Sequence, residues 1–273
     1  MQIFDLLLIH PILNILLALY HAFLYLHIPY ALGFSVIGLT IVVRIVLYPF
    51  THSQLKTSKK MQDLSPHISN LKDKHKNDAK MLQAETMKLY KDHGVNPAAG
   101  CLPLLVQLPI IWSLYTVLQK AVTEDPAKAL SYMNSIAYVD WLKLTHSWDL
   151  SFFGFPLGKT PGNLLAIMPI VIAIPLITGG LQFIQAKMMA PVAVVVKNKK
   201  ALAKKEEKKD DFATAFQTQS LYMLPIMLGF FSYNFAIGLS LYWNTFTIFG
   251  ILQQYKISGL GALAPWKEKI FKK

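Results

Sequence analysis

One arginine stands among 26 lysines in this 273-residue chain, and it sits where a cation is least expected. Arg44 is the only charged side chain between Tyr30 and Phe50. At the centre of a membrane helix an arginine costs about 2.5–3.5 kcal/mol on insertion scales. A lysine would reach the interface more easily, whereas a guanidinium stays charged and asks for a wet cavity or a specific partner. A guanidinium that reaches back to cytoplasmic headgroups past Thr51 is the simpler alternative. Helical phase bears on the choice. At 100° per residue, Gly33, Thr40, Tyr48 and Thr51 fall within about 40° of Arg44, and the other faces are Val, Ile and Leu. Further apolar stretches carry polar groups of their own: Gln107; Thr178, Gln182 and Gln185 on one face; Asn244 and Thr247. Any one alone reads as an interhelical hydrogen bond worth about 0.6 kcal/mol. Gathered around one arginine they suggest a hydrated groove that attracts an anionic group.

Other chemistries find little support. No Asp or Glu falls in any of the five spans predicted below, which argues against a proton relay or an acidic cation filter. The eight histidines (His10, His21, His27, His52, His67, His75, His93, His146) show no metal-ligand spacing, and Cys101 is the single cysteine. No glycine-rich phosphate loop is present, and nothing fixes a nucleophile beside a base. We therefore expect no enzyme, no metal and no cofactor.

The elements that must position these residues follow from composition. Hydrophobic residues make up 53% and charged residues 15%, yet the net charge is +12. A soluble domain carries roughly a quarter charged residues. The two facts agree if charge is confined to loops between apolar runs, as in an all-α integral membrane protein. Five transmembrane helices are predicted at 29–50, 97–120, 163–187, 218–236 and 237–256; the last two form a hairpin that turns near Tyr233, Asn234 and Gly238. Residues 1–28 lack the basic start and small-residue cleavage site of a signal peptide. They read as an N-terminal interfacial amphipathic helix, with a sixth span as the alternative, because His10, Asn14 and His21 recur at near-helical spacing and would face water.

Lysine counts orient the chain. Residues 51–96 hold nine Lys, the 187–217 loop eight and the tail from Lys256 five, whereas 121–162 holds three Lys against four acids. The first three are expected in the cytoplasm and the fourth outside, with the N-terminus outside and the C-terminus inside. Residues 51–96 are predicted to be a helical hairpin turning at Lys76-Asn77-Asp78, with Pro66 interrupting its first helix, Ser65 recapping it and Gly94 closing the second. Residues 188–217 read as a charged loop near anionic lipid, and 257–273 as a basic tail that touches headgroups or ribosomal phosphates. Trp141, Trp148, Phe152, Phe153 and Phe155 suit an outer segment lying at the membrane surface.

Three strings carry a resemblance. Thr40 and Arg44 followed by Pro49 form Thr-x-x-x-Arg-x-x-x-x-Pro. Leu89-Tyr90-Lys91-Asp92-His93-Gly94-Val95-Asn96-Pro97 leads into Gly100-Cys101-Leu102-Pro103 and Gln107-Leu108-Pro109. Gly238-Leu239-Ser240-Leu241-Tyr242-Trp243-Asn244 precedes Gln253-Gln254. In order and spacing the chain resembles the YidC-type membrane protein insertases, related to the mitochondrial oxidase-assembly and chloroplast Albino proteins, over about residues 10–258, without the large periplasmic domain of some members. The resemblance implies a five-helix core whose groove opens to the cytoplasm and to lipid and is closed toward the outside. It implies a substrate-contacting set of Arg44, Thr40, Tyr48, Gln107, Gln182, Gln185, Trp243, Asn244 and Thr247. It implies nascent membrane-protein substrates and the lipid bilayer as partners, with the Sec translocon and ribosome as further ones, no DNA, and a bacterial plasma-membrane location. The competing readings are a small anion or solute transporter using Arg44 as counter-ion, and an assembly factor that holds partner helices without inserting them.

Overall fold

A computed structural model of the chain describes residues 2–75, 78–96, 102–121, 126–190 and 212–264. Among these, ten helices exceed two turns: α1 (His10–Tyr25), α2 (Ala31–Val46), α3 (Tyr48–Asp63), α4 (Ser65–Lys74), α5 (Ala79–Asp92), α6 (Leu102–Ala121), α7 (Pro126–Ile136), α8 (Ala173–Met189), α9 (Phe212–Asn234) and α10 (Ile237–Ser258). A small antiparallel ribbon pairs β1 (Ser151–Phe152) with β2 (Phe155–Pro156) in the register Phe152 to Phe155. The protein is thus almost wholly helical. Two helical stretches, Asp5–Tyr25 and Pro169–Met189, are long and apolar enough to cross a membrane, and Ala31–Val46 qualifies only when joined with Tyr48–Asp63. The predicted turn at Lys76-Asn77, Cys101, most of the 188–217 loop and the tail from 265 lie outside the described residues.

The chain divides into two compact units. The first comprises Met1–Leu47, Leu104–Gly179 and Leu228–Ile248. Its core starts with α1, where Leu13, Leu16 and Leu17 at 3–4 spacing pack with Leu32, Val36 and Leu39 of α2, all fully buried. Pro11, which has no N–H to give and crowds the carbonyl four residues back, follows a π-helical turn at Asp5–Ile9 within a continuous helix. Of the three residues expected to face water, His10 and His21 are half-buried and Asn14 is enclosed. Asn14 is buried, its amide donates to the Ile136 carbonyl at 3.0 Å, and its oxygen accepts from the Tyr138 N–H at 2.7 Å. His21 meets the Leu142 carbonyl at 3.1 Å. The polar spacing on α1 therefore matches unpaired backbone groups of residues 136–142 rather than water. The 3₁₀ turn Pro169–Ile172 leads into α8, and two residues separate the end of α9 at Asn234 from the start of α10 at Ile237.

A correction concerns α2. The continuous face expected from Gly33 through Thr51 stops at Val46. Pro49 explains the break: its ring clashes with the carbonyl four residues earlier and it has no N–H to give. The chain restarts as α3, where Pro49 occupies the tolerated second position, and the helical phase of Tyr48 and Thr51 is no longer that of Arg44.

The second unit comprises Tyr48–Pro103, Gly180–Met227 and Phe249–Lys273. Here α3 is held by polar contacts: Gln253 Nε2 donates to Thr51 Oγ1 at 2.8 Å, and Gln62 Nε2 donates to the carbonyls of Met188 and Met189 at 3.1 and 2.8 Å. Gln62 thereby caps the end of α8, whose last carbonyls lack helical partners. α3 and α4 are separated by Leu64 alone. The expected Ser65 cap is absent: Leu64 is the cap residue, with no side-chain hydrogen bond, and Ser65 is buried inside α4. α5 starts on Asp78, which accepts from the Met81 N–H at 2.9 Å. It ends in a Schellman motif, with Gly94 at φ +62° and the Val95 N–H donating to the Tyr90 carbonyl at 2.8 Å. Burial pushes the Tyr90 hydroxyl pKa up.

Candidate functional site

The polar cluster of the first unit is built from α2, α6 and α10. Arg44 is 8% exposed. Its terminal Nη2 donates to the backbone carbonyl of Phe246, and its guanidinium carbon lies 3.4 Å from the centroid of the Phe246 ring. The ring face is electron-rich, so the stack is a cation–π contact strengthened by desolvation. Among the described residues no carboxylate pairs with Arg44, and its Nε is buried without a partner. A buried guanidinium is normally paired with an acid. This one is held by a carbonyl and a ring, which leaves its positive charge uncancelled.

The neighbouring helix positions prolong the cluster. Tyr242, four residues before Phe246 and so on nearly the same face of α10, stacks on it with ring centroids 5.9 Å apart. The Tyr242 hydroxyl accepts from Gln107 Nε2 of α6 at 2.9 Å, a fully buried bond. Thr40 and Thr247 are buried, and each hydroxyl donates to its own helix four residues back, at Val36 and Trp243. Trp243 Nε1 and Asn244 Oδ1 are buried and unpartnered. A second polar line runs beside it: Thr178 of α8, Ser232 of α9 and Ser240 of α10 form a hydroxyl chain with spacings of 3.1 and 2.9 Å. It borders a cavity of about 10 Å³ that Trp243 also lines, enough for about one water.

The sequence-derived set therefore divides. Arg44, Thr40, Gln107, Trp243, Asn244 and Thr247 fall in the first unit, and the structure joins Arg44 to α10 and Gln107 to α10. Tyr48, Gln182 and Gln185 fall in the second unit. Tyr48 is half-exposed and stacks on His52 with ring centroids 5.7 Å apart, and Gln182 is buried in α8. Phe246 and Tyr242, the residues that actually hold Arg44 and Gln107, were not selected by polarity, because their contribution is a carbonyl, a ring and a hydroxyl on an otherwise apolar helix. Helical phase alone could have flagged Tyr242 and Phe246 as an i, i+4 pair.

An α-helical protein whose long apolar helices enclose an arginine that pairs with no acid among the described residues is a membrane protein with a polar interior. Residues 23–261 match the model of the family described as 60Kd inner membrane protein. The chain is 31% identical over 230 residues to a membrane protein insertase YidC of Fusobacterium nucleatum, covering 84% of this chain and 87% of that protein. It is 30% identical over 226 residues to a membrane protein insertase YidC of Wolinella succinogenes, covering 83% of this chain and 33% of that protein. It is 30% identical over 243 residues to the inner membrane protein ALBINO3, chloroplastic, of Arabidopsis thaliana, covering 88% and 49%. The chain belongs to the 60Kd inner membrane protein family, which takes in the YidC and Albino proteins.

Proposed function

We propose that this chain is a membrane protein insertase of the bacterial plasma membrane. The observation that carries the reading is Arg44: buried, uncancelled by any acid among the described residues, and set among amides and hydroxyls on three helices. Carrying a substrate's polar segment through dry hydrocarbon costs several kcal/mol. A polar groove part-way across shortens that path. The Arg44 charge attracts an acidic substrate residue, and the contact is weak because Phe246 already occupies one donor. The substrate's apolar segment then partitions sideways into lipid, which drives the process without nucleotide hydrolysis.

In this reading the spans run at 29–50, 97–120, 163–187, 218–236 and 237–256, the N-terminus is outside, and 51–96 is a cytoplasmic helical hairpin. Thr40, Gln107, Trp243, Asn244 and Thr247 line the groove with Arg44, and Tyr48, Gln182 and Gln185 of the second unit are further substrate contacts. The partners are nascent membrane proteins and lipid, with the Sec translocon and the ribosome as further ones. The names of the relatives give the solute-transporter reading no support. The test is site-specific photocrosslinking from Thr40, Gln107 and Trp243 to a stalled single-span nascent chain. Crosslinks from all three during synthesis are expected. Crosslinks only to mature partner helices would replace insertion by assembly.

A further inference from the structure

Arg44 is the only arginine of the chain, and its partner among the described residues is a neutral one. A guanidinium grips a carboxylate by either of two forked edges, and Nη2 belongs to both. The Phe246 carbonyl takes one Nη2 hydrogen and so blocks one fork. The Phe246 ring, centred 3.4 Å from the guanidinium carbon, covers one π-face. Nε is buried and meets nothing among the described residues. One residue thus answers the cation twice, by a bond and by a ring, and neither contact carries a charge. A carboxylate brings a full negative charge to the same donors and can displace both contacts, but it has to break them first.

Phe246 is itself braced. It lies one helical turn beyond Tyr242 on α10, and the two rings stack with centroids 5.9 Å apart and planes 29° apart. Tyr242 is fully buried, and its hydroxyl accepts from Gln107 Nε2 of α6 at 2.9 Å. That bond fixes the Tyr242 ring, and the stack carries the constraint to Phe246. The line Gln107–Tyr242–Phe246–Arg44 therefore joins α6, α10 and α2, and only its last member is charged.

We propose that Phe246 is a specificity-determining residue of the Arg44 site: an internal competitor, held in place by Gln107 through Tyr242, that an acidic substrate side chain displaces and that displaces the acid in turn. The proposal rests on the groove reading above, and it makes Gln107 and Tyr242 positioning residues that act on Arg44 through Phe246. Because no other arginine is present, the arginine reagent phenylglyoxal reads this one guanidinium in the full chain reconstituted in liposomes, with mass spectrometry of the Arg44 peptide as the measure. Phe246→Leu keeps the carbonyl and loses the ring. It is expected to be modified about tenfold faster than the wild type, equivalent to about 1.4 kcal/mol and within the range of a desolvated cation–π contact. Phe246→Tyr keeps a ring and stays near the wild type, and Gln107→Leu falls between. A second measurement follows photocrosslinks from Thr40 to a single-span chain carrying Asp in its tail, and to the same chain carrying Asn. In Phe246→Leu the crosslinks to the Asp chain persist about tenfold longer than in the wild type, those to the Asn chain do not, and adding Arg44→Ala removes the difference. Variants that melt like the wild type yet show its modification rate, or that prolong Asp and Asn crosslinks alike, overturn the competitor. A wild type that crosslinks to neither chain sinks the insertase reading, while the modification rate still judges Phe246.

Discussion

At the scale of single residues, Arg44 and Asn14 show how the same polarity does different work. Arg44 keeps its charge: Phe246 supplies a carbonyl and a ring, neither of which neutralises it. If charge is what the substrate senses, Arg44→Lys preserves insertion of single-span substrates with acidic tails, because an ammonium also fits over the Phe246 ring. Arg44→Ala then lowers insertion by about tenfold, the effect of about 1.4 kcal/mol. The readout is protease protection of the substrate tail in a depletion strain. Full activity of both Arg44→Ala and Arg44→Glu would remove the charge from the mechanism. Asn14 is spent on structure. Its amide satisfies the Ile136 carbonyl and its oxygen the Tyr138 N–H. Asn14→Ala strands both, and at about 1–3 kcal/mol per buried unpaired group the thermal midpoint falls by several degrees, while groove crosslinking is retained. Both residues were conspicuous in the sequence as polar groups in apolar surroundings. What each one touches was not, because the partners lie 122 and 202 residues away and offer backbone atoms.

At the scale of elements, periodicity and punctuation in the sequence located helices well where a physical breaker was present. Pro49 accounts for the division of α2 from α3, and Gly94 for the end of α5. The face drawn through Arg44 failed beyond Val46 because it assumed an unbroken helix across that proline. Ser65 failed as a cap because helix α4 starts directly out of α3, leaving no extended residue for a capping side chain to occupy. The bracing of α3 was not legible at all. It depends on Gln62 reaching the end of α8 and on Gly261, at φ +52°, which sits so close to the Met188 carbonyl that a Cβ would overlap it. Gly261→Ala therefore meets two penalties: the left-handed backbone costs about 1–2 kcal/mol, and the collision displaces the segment. Hydrogen exchange at 186–190 should accelerate in Gly261→Ala, and by less in Gln62→Ala, which removes only the cap. Unchanged exchange at 186–190 in both variants would show that the end of α8 does not depend on this contact.

At the scale of the whole molecule, the lysine distribution and the placement of α1 can be argued together. Of the 27 basic residues, 22 fall in 51–96, 187–217 and 256–273, and only three in 121–162, where four acids outnumber them. In the proposed reading this asymmetry puts the first three segments in the cytoplasm. The ambiguous piece is the N-terminal helix, since Asp5–Tyr25 is long enough to span. In the proposed reading, with 121–162 outside, its contacts suit the interface. Asn14 and His21 are seven residues apart, about 10 Å of helix, and both bond to the backbone of 136–142, inside the segment expected outside. A helix that spanned would carry Asn14 to the middle of the bilayer and draw Ile136 and Tyr138, with their irregular backbone, down with it, where unsatisfied groups cost several kcal/mol. A helix lying at the outer surface keeps that whole segment near water. The prediction follows for single cysteines in a Cys101→Ser background, labelled by an impermeant maleimide on intact cells. Gln2→Cys and Ser147→Cys are labelled from outside, and Ser69→Cys only after permeabilisation. Labelling of Gln2→Cys only after permeabilisation would make α1 a sixth crossing, and labelling of Ser69→Cys on intact cells would invert the entire topology.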